Sequence, residues 1–289
     1  MTVTKKTKNK LTEKAMLLHL TINNYGGSKK DKTITTTVCL ENQAKSDAGS
    51  WWTKMIPKNE LDPISAASMK CRNTVTKFTL PWMDGGFRIL PSARFLDYSK
   101  EMRDNVTNYD KAVNNFIQRY PEIVKNASKR LGKLMQNQDL LSVSEMKSKF
   151  RIKVDILPMP TADDFRIELG DAEANEVKEQ VEQSINGALQ NSMADVWRQL
   201  SEMVTKIETT LKDPKKKFKN SLISNLVDFC KIMPSLNLTD DDELKDLRKA
   251  VMDKLTKLQP DVLRDNKTER KAASIKAKEM LQRIAKYKK

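Results

Sequence analysis

Between Asp171 and Leu211, the apolar residues Val177, Val181, Ile185, Leu189, Val196, Leu200, Met203, Ile207 and Leu211 recur at helical spacing. That period predicts a single helix with a continuous apolar stripe. Asp171, Glu173 and Glu176 open it, where negative charge complements the positive end of the helix dipole. About 40 residues at ~1.5 Å each make a rod about 60 Å long. Such a rod in a chain of 289 residues implies an elongated molecule or a seam between copies.

The remainder of the chain also favours helices. With 8 Gly and 10 Pro, breakers are scarce, and abundant Lys, Glu, Leu and Gln argue against a many-stranded β fold. Leu61, Ile64, Ala67, Cys71 and Val75 fall at helical spacing within 59–78. Across 92–120, Phe95, Met102, Tyr109 and Phe116 step by seven, as do Val106, Val113 and Tyr120, the seam of a coiled-coil-like helix. Pro121 should stop or restart this helix, with a second running through Leu131 and Leu134. Ser142 and Glu145 match a capping box. Beyond a linker-like break at Lys212–Lys217 three more helices are expected, near 218–233, 240–258 and 267–287, with Thr239 as N-cap of the second.

Strand signals are few. Leu18, Leu20 and Ile22 alternate with His19 and Thr21, and Phe150, Ile152, Val154 and Ile156 alternate with Arg151, Lys153 and Asp155 before Pro158 and Pro160. Phe165, Ile167 and Leu169 suggest another strand. The β-branched stretch 33–40 reads equally as strand or helix. Lys29 and Lys30 fall in a turn after Asn23–Ser28, and Asp84-Gly85-Gly86 forms a hairpin-like turn with Trp82 and Phe87 packed beneath. The expected fold is mainly α with a small β element (α+β), built from long helices as an elongated bundle. Residues 1–10 read as a disordered basic tail, 11–160 as an N-terminal α+β part, and 161–289 as a C-terminal helical part carrying the long helix at 171–211.

Charge narrows the function classes. The net charge is +15, unevenly spread. Residues 1–150 hold 26 basic and 14 acidic side chains, 151–200 hold 5 and 10, and 201–289 hold 22 and 14, for nets of +12, −5 and +8. A basic excess of this size points to a polyanionic partner, nucleic acid first and an anionic membrane surface second. The competing reading is a solubilising coat on solvated helix faces. Cys39, Cys71 and Cys230 have neither metal-ligand nor redox spacing, and His19 is the only histidine. A reducing compartment, the cytoplasm, is expected, and no stretch approaches the ~20 apolar residues of a membrane span.

No catalytic signature stands out, so an enzyme is not expected. His19 lacks a nucleophile motif, and the Gly26-Gly27 and Gly85-Gly86 pairs lack a phosphate-loop context. Asp163-Asp164 and Asp240–Asp242 lack the spaced cation-loop pattern. No metal or cofactor is therefore assigned. The candidate nucleic-acid contacts are Lys5, Lys6, Lys8 and Lys10 in the tail, Lys29 and Lys30, and the cluster Lys215, Lys216, Lys217 and Lys219. Arg270, Lys271, Lys278 and Arg283 on the last helix complete the cationic set. Trp51 and Trp52, beside Lys54 and Lys58, are the candidate stacking platforms.

The order Leu80-Pro81-Trp82, Gly86, Arg88-Ile89-Leu90-Pro91, Tyr120-Pro121-Glu122, Leu131-Gly132, Pro160–Arg166 and Leu236–Asp241 resembles an uncharacterised family encoded by tailed phages and prophages. Its members neighbour genes for MoxR-type AAA+ ATPases and von Willebrand A-domain proteins. The resemblance implies a phage origin and a host-cytoplasmic role, with no catalytic motif to carry over. The leading expectation is a non-enzymatic protein of DNA metabolism that binds nucleic acid without sequence preference, working as a homo-oligomer. The alternative is a helical adaptor whose acidic 171–182 face and long helix engage a partner such as an AAA+ ATPase.

Overall fold

The computed structural model describes residues 11–83, 86–135, 140–161 and 171–287. Residues 1–10, expected as a tail, residues 84–85 of the expected turn, the Asp163-Asp164 pair and the strand expected at 165–169 lie outside the described residues. In chain order the elements are β1 (Ala15–Asn23), β2 (Ser28–Asp31), α1 (Lys32–Glu41), β3 (Trp51–Lys54), α2 (Lys58–Phe78), β4 (Leu80–Pro81) and β5 (Phe87–Pro91). There follow α3 (Phe95–Leu131), α4 (Val143–Ser148), β6 (Arg151–Pro158), α5 (Asp171–Lys212), α6 (Ser221–Leu236), α7 (Asp242–Lys254), α8 (Pro260–Asp265) and α9 (Lys267–Tyr287). The protein is thus mainly α, with a small antiparallel β element and several long helices.

The chain divides into two compact units that interleave in sequence. One gathers the chain up to His19, Phe78–Phe95 and everything from Ile156 onward; the other holds Leu20–Lys77 and Leu96–Asp155. No single cut near residue 160 separates them, because β1, α3 and β6 each run from one unit into the other. The four-stranded sheet has the order β4-β5-β1-β6. β1 pairs antiparallel with β5, setting Leu17 opposite Ile89 and His19 opposite Phe87. Gly86 is needed beside this pair: its φ is +77°, and a Cβ there would meet His19 Nε2 at 3.3 Å.

In the first unit the core is organised by α5. From Ile185 onward its stripe enters the core, with Val196, Leu200, Val204 and Ile207 fully buried in one cluster with Leu226, Cys230 and Met233 of α6 and Leu247 and Val251 of α7. Ala273 and Ala277 of α9 are buried in the same cluster, and such small side chains permit close helix approach. Ser192 Oγ, also on α5, shares its one hydrogen between the Pro81 carbonyl and Ala188 O, the latter at 2.8 Å, tying β4 to the helix.

Asp241, not Thr239, caps α7: its side chain accepts from Leu244 N at 3.2 Å. Asn237 explains the shift of two residues. Its side chain accepts from Asp241 N and donates to Asp241 O, both at 2.8 Å, which sets the backbone of Asp241 as the entry to the helix. Asp240 pairs with Lys14 at 2.7 Å and Asp242 with Lys245 at 2.6 Å, so this acidic run is engaged locally.

In the second unit α2, α3 and α4 surround Leu61, Ile64, Tyr109, Val113, Phe116, Tyr120 and Met146. The seven-residue seam of α3 is where the sequence places it, but the helix continues through Pro121. Proline removes one donor from the ladder, yet Phe116 and Tyr120 before it and Ala127 and Leu131 after it are all buried, so packing on both sides holds the helix together. The Tyr120 hydroxyl donates to Leu141 O at 2.8 Å, and burial pushes the Tyr109 phenol up to about 12. The Ser142–Glu145 capping box forms as read from the sequence.

The ambiguous 33–40 stretch is the helix α1. Asp31 accepts from Ile34 N at 3.0 Å, and Thr35, Thr36 and Thr37 donate to the carbonyls one turn back. These local bonds outweigh the β preference of the side chains. Lys29 and Lys30 lie in β2 rather than in a turn, because 28–31 pairs with 51–54. That pairing joins residues far apart in sequence, so neither strand announces itself locally.

Replacing Leu200 by Ala should cost about 2–5 kcal/mol, read as a lowered denaturation midpoint with an unchanged slope. Cys71 and Cys230 are wholly buried, and burial pushes the Cys230 thiol up to about 11. Both thiols should resist a thiol reagent at neutral pH until denaturant is added, as mass spectrometry of the labelled protein would show.

Candidate nucleic-acid interface

The last carbonyls of any helix lack intrahelical partners, and at α5 these groups are met by Arg270 from the first turn of α9. Its guanidinium donates to Thr210 O at 2.9 Å, Leu211 O at 3.2 Å and Lys216 O at 2.7 Å, and also to the Asp213 carbonyl. Only 6% of Arg270 is exposed. Its cation lies at the negative end of the α5 dipole and 5.2 Å from the Phe218 ring centroid. Arg264 of α8 lies over the same ring at 5.3 Å and donates to Asp261 and Asn220. The 213–220 loop is therefore clamped from α8 and α9.

Beside this clamp, where α5 ends and α9 begins, lies a cleft of about 400 Å³. Leu211, Lys212 and Pro214 line one side; Lys267, Lys271, Ser274 and Lys278 line the other, and Glu208 supplies the carboxylate. Ser274 Oγ donates to Glu208 O at 3.3 Å, which sets α9 antiparallel to α5. Lys215, Lys216 and Lys217, all exposed, follow Pro214 directly in the clamped loop, with exposed Lys219 beyond them.

None of Lys212, Lys215, Lys216, Lys217, Lys219, Lys267, Lys271 or Lys278 is ion-paired with a carboxylate among the described residues. A different pattern holds elsewhere on α9, where Glu279 pairs with Lys254 at 3.0 Å. Lys267 and Lys271, four apart on one helix, repel by a few tenths of a kcal/mol, so helix stability does not explain them. For Lys215–Lys217 two helix dipoles act in opposite senses. They precede α6, where cations oppose its dipole, but they also stand just past the negative end of α5, which favours them.

The candidates thus separate. Lys271 and Lys278 line the cleft of the first unit, while Lys215, Lys216, Lys217 and Lys219 follow in the loop beyond Pro214 and are not part of its lining. Lys212 and Lys267 join Lys271 and Lys278 in that lining, and Lys212 escapes sequence reading because it falls in the break that follows the rod. Arg270 is occupied by backbone carbonyls and acts as the support of the site. Arg283 lies outside the cleft lining, about 140° around α9 from Lys278 at ~100° per residue. Lys29, Lys30, Trp51 and Trp52 belong to the β2–β3 ribbon of the second unit. Lys5, Lys6, Lys8 and Lys10 fall outside the described residues.

A family model described as "Protein of unknown function (DUF3150)" matches residues 12–222, and the chain belongs to that family. No curated protein and no solved structure matches it. Among the described residues no helix is long and apolar enough to cross a membrane.

Replacing Arg270 by Met leaves buried carbonyls without donors and should destabilise the protein by about 3 kcal/mol in chemical denaturation. Replacing exposed Lys271 by Glu should change stability by less than about 0.5 kcal/mol.

Proposed function

We propose that this protein binds nucleic acid without sequence preference, the lysine cleft between α5 and α9 following the phosphate backbone. The observation that carries the reading is the meeting in one cleft of Lys212, from the end of α5, with Lys267, Lys271 and Lys278 of α9, none of them ion-paired with a carboxylate among the described residues, while exposed Lys215, Lys216 and Lys217 follow in the loop beyond Pro214. Neutralising phosphates there releases counterions, which gives salt-dependent affinity and no base discrimination. The loop lysines are held on a clamped backbone, so the ordering cost of binding falls on their side chains and not on the loop.

The resemblance to tailed-phage and prophage proteins supports a phage-encoded, non-enzymatic role in DNA metabolism within the host bacterial cytoplasm. A homo-oligomer is part of the same proposal, with the partly covered start of α5, at Val177 and Val181, as its seam. A second reading, an adaptor for a protein partner such as an AAA+ ATPase, draws on the start of α5. There Glu176 and Glu179 are exposed beside Glu182, and Val177 and Val181 are only partly covered.

In a gel-shift titration the protein should retard DNA at low salt, with log affinity falling linearly against log salt. Replacing Lys271 and Lys278 together by Glu should weaken binding at least tenfold and flatten the salt slope by roughly 1.8, two phosphate contacts at ~0.9 each on duplex. No retardation at low salt would sink the reading. A partner pull-down lost on replacing Glu176 and Glu179 by Lys, with DNA binding intact, would favour the adaptor.

A further inference from the structure

Trp52 is 58% exposed and Trp51 43%, whereas the chain's other tryptophans, Trp82 and Trp197, are 4% and 9% exposed. Large aromatics gain most from burial, so two neighbouring exposed ones are unusual for a chain whose core accommodates the rest. They lie on β3, antiparallel to β2, with Lys30 opposite Trp52, Lys29 opposite Thr53, Ser28 opposite Lys54 and Asp31 opposite Trp51.

Facing residues of paired strands share a side of the ribbon, and alternate residues repeat it. Lys30, Trp52, Lys54 and Ser28 therefore share one side. On the other, Thr53 is buried and Asp31 is used as the cap of α1. Opposed side chains on such a ribbon stand ~4.5–5.5 Å apart at Cβ, and i, i+2 neighbours on one strand ~7 Å apart. Trp52 is accordingly an indole face bordered across and along the ribbon by exposed ammonium groups.

The mount is rigid. Arg130 of α3 donates to Lys54 O at 2.7 Å and Met55 O at 2.6 Å, and Ile56 N donates to Gly27 O at 3.1 Å. On the α1 side, Trp51 N donates to Thr35 Oγ1 at 2.8 Å. Lys29, Lys30, Lys32 and Lys54 have no ion pair with a carboxylate among the described residues. Exposed Val38 and Leu40 of α1 stand about 200° apart around that helix. They do not extend the tryptophans into the continuous apolar face that insertion into a membrane surface needs.

We infer that the β2–β3 ribbon is a second nucleic-acid site, one for single strands, with a base stacked on Trp52 and the neighbouring phosphates on Lys30 and Lys54. A paired duplex keeps its bases stacked on one another and offers Trp52 no free face, so the ribbon discriminates by strandedness rather than sequence. The charge complements a phosphate chain, and every base has a face to stack. This site stands independently of the α5–α9 cleft.

Tryptophan emission of the full chain, with Trp82 and Trp197 shielded, reports on the ribbon. Short oligothymidylate or oligouridylate should quench it, while inorganic polyphosphate, which has no bases, should displace the oligomer without quenching. Trp52→Ala should remove most of the quench and weaken oligomer binding roughly tenfold, with duplex binding unchanged. Trp52→Phe should restore most of the affinity. Quenching that survives Trp52→Ala, or duplex retardation without quenching by either oligomer, overturns the ribbon site and leaves the cleft standing. Emission that responds to anionic vesicles and not to oligomers also overturns it. Quenching by oligomers with no duplex retardation supports the ribbon and removes the cleft. The Lys271→Glu, Lys278→Glu double variant should keep its full quench at saturating oligomer.

Discussion

From Ile185 to Leu211, α5 presents one unbroken apolar stripe, and water has to be kept from it. Helices α6, α7 and α9 are the cover, and their buried faces all belong to the cluster that α5 runs through. Because α9 lies antiparallel to α5, the two ends that carry lysine, the last turn of one and the first turns of the other, are obliged to be neighbours. The cleft is in this sense a by-product of covering the rod, and its charge is what hydrophobic burial does not account for.

Arginine and lysine divide the work at that place. Arg270 is a planar fork that matches several backbone carbonyls at once, and it goes inside to close the α5 terminus. The lysines remain outside as hydrated point charges on flexible stems. The result is a fork fixed in the fold with ammonium groups around it that have no carboxylate partner among the described residues. In the second unit the same logic recurs, with Arg130 holding the carbonyls at the end of β3 and so fixing the strand that presents Trp52.

Much of the helical fold is legible in the sequence. The stripe of α5, the seven-residue seam of α3 and the Ser142–Glu145 box are periodic or capped signals set by near neighbours, and each appears where the residues place it. Departures occur where a distant or competing contact decides. Pro121 does not break α3 because buried residues flank it, and the cap of α7 moves to Asp241 because Asn237 folds back onto it. The threonine-rich α1 is helical because Asp31 and the hydroxyls satisfy its backbone locally.

Residue order alone specified the long helices and the sign and placement of the charge along the chain, since these follow from short-range periodicity and composition. Tertiary structure decided which side chains meet. It sent Arg270 inward, joined Lys212 to Lys267, Lys271 and Lys278, and set Lys30 across from Trp52. The physical reason is that strand register and helix packing are set by burial between segments far apart in the chain. No local pattern encodes which surface side chains such packing will bring side by side.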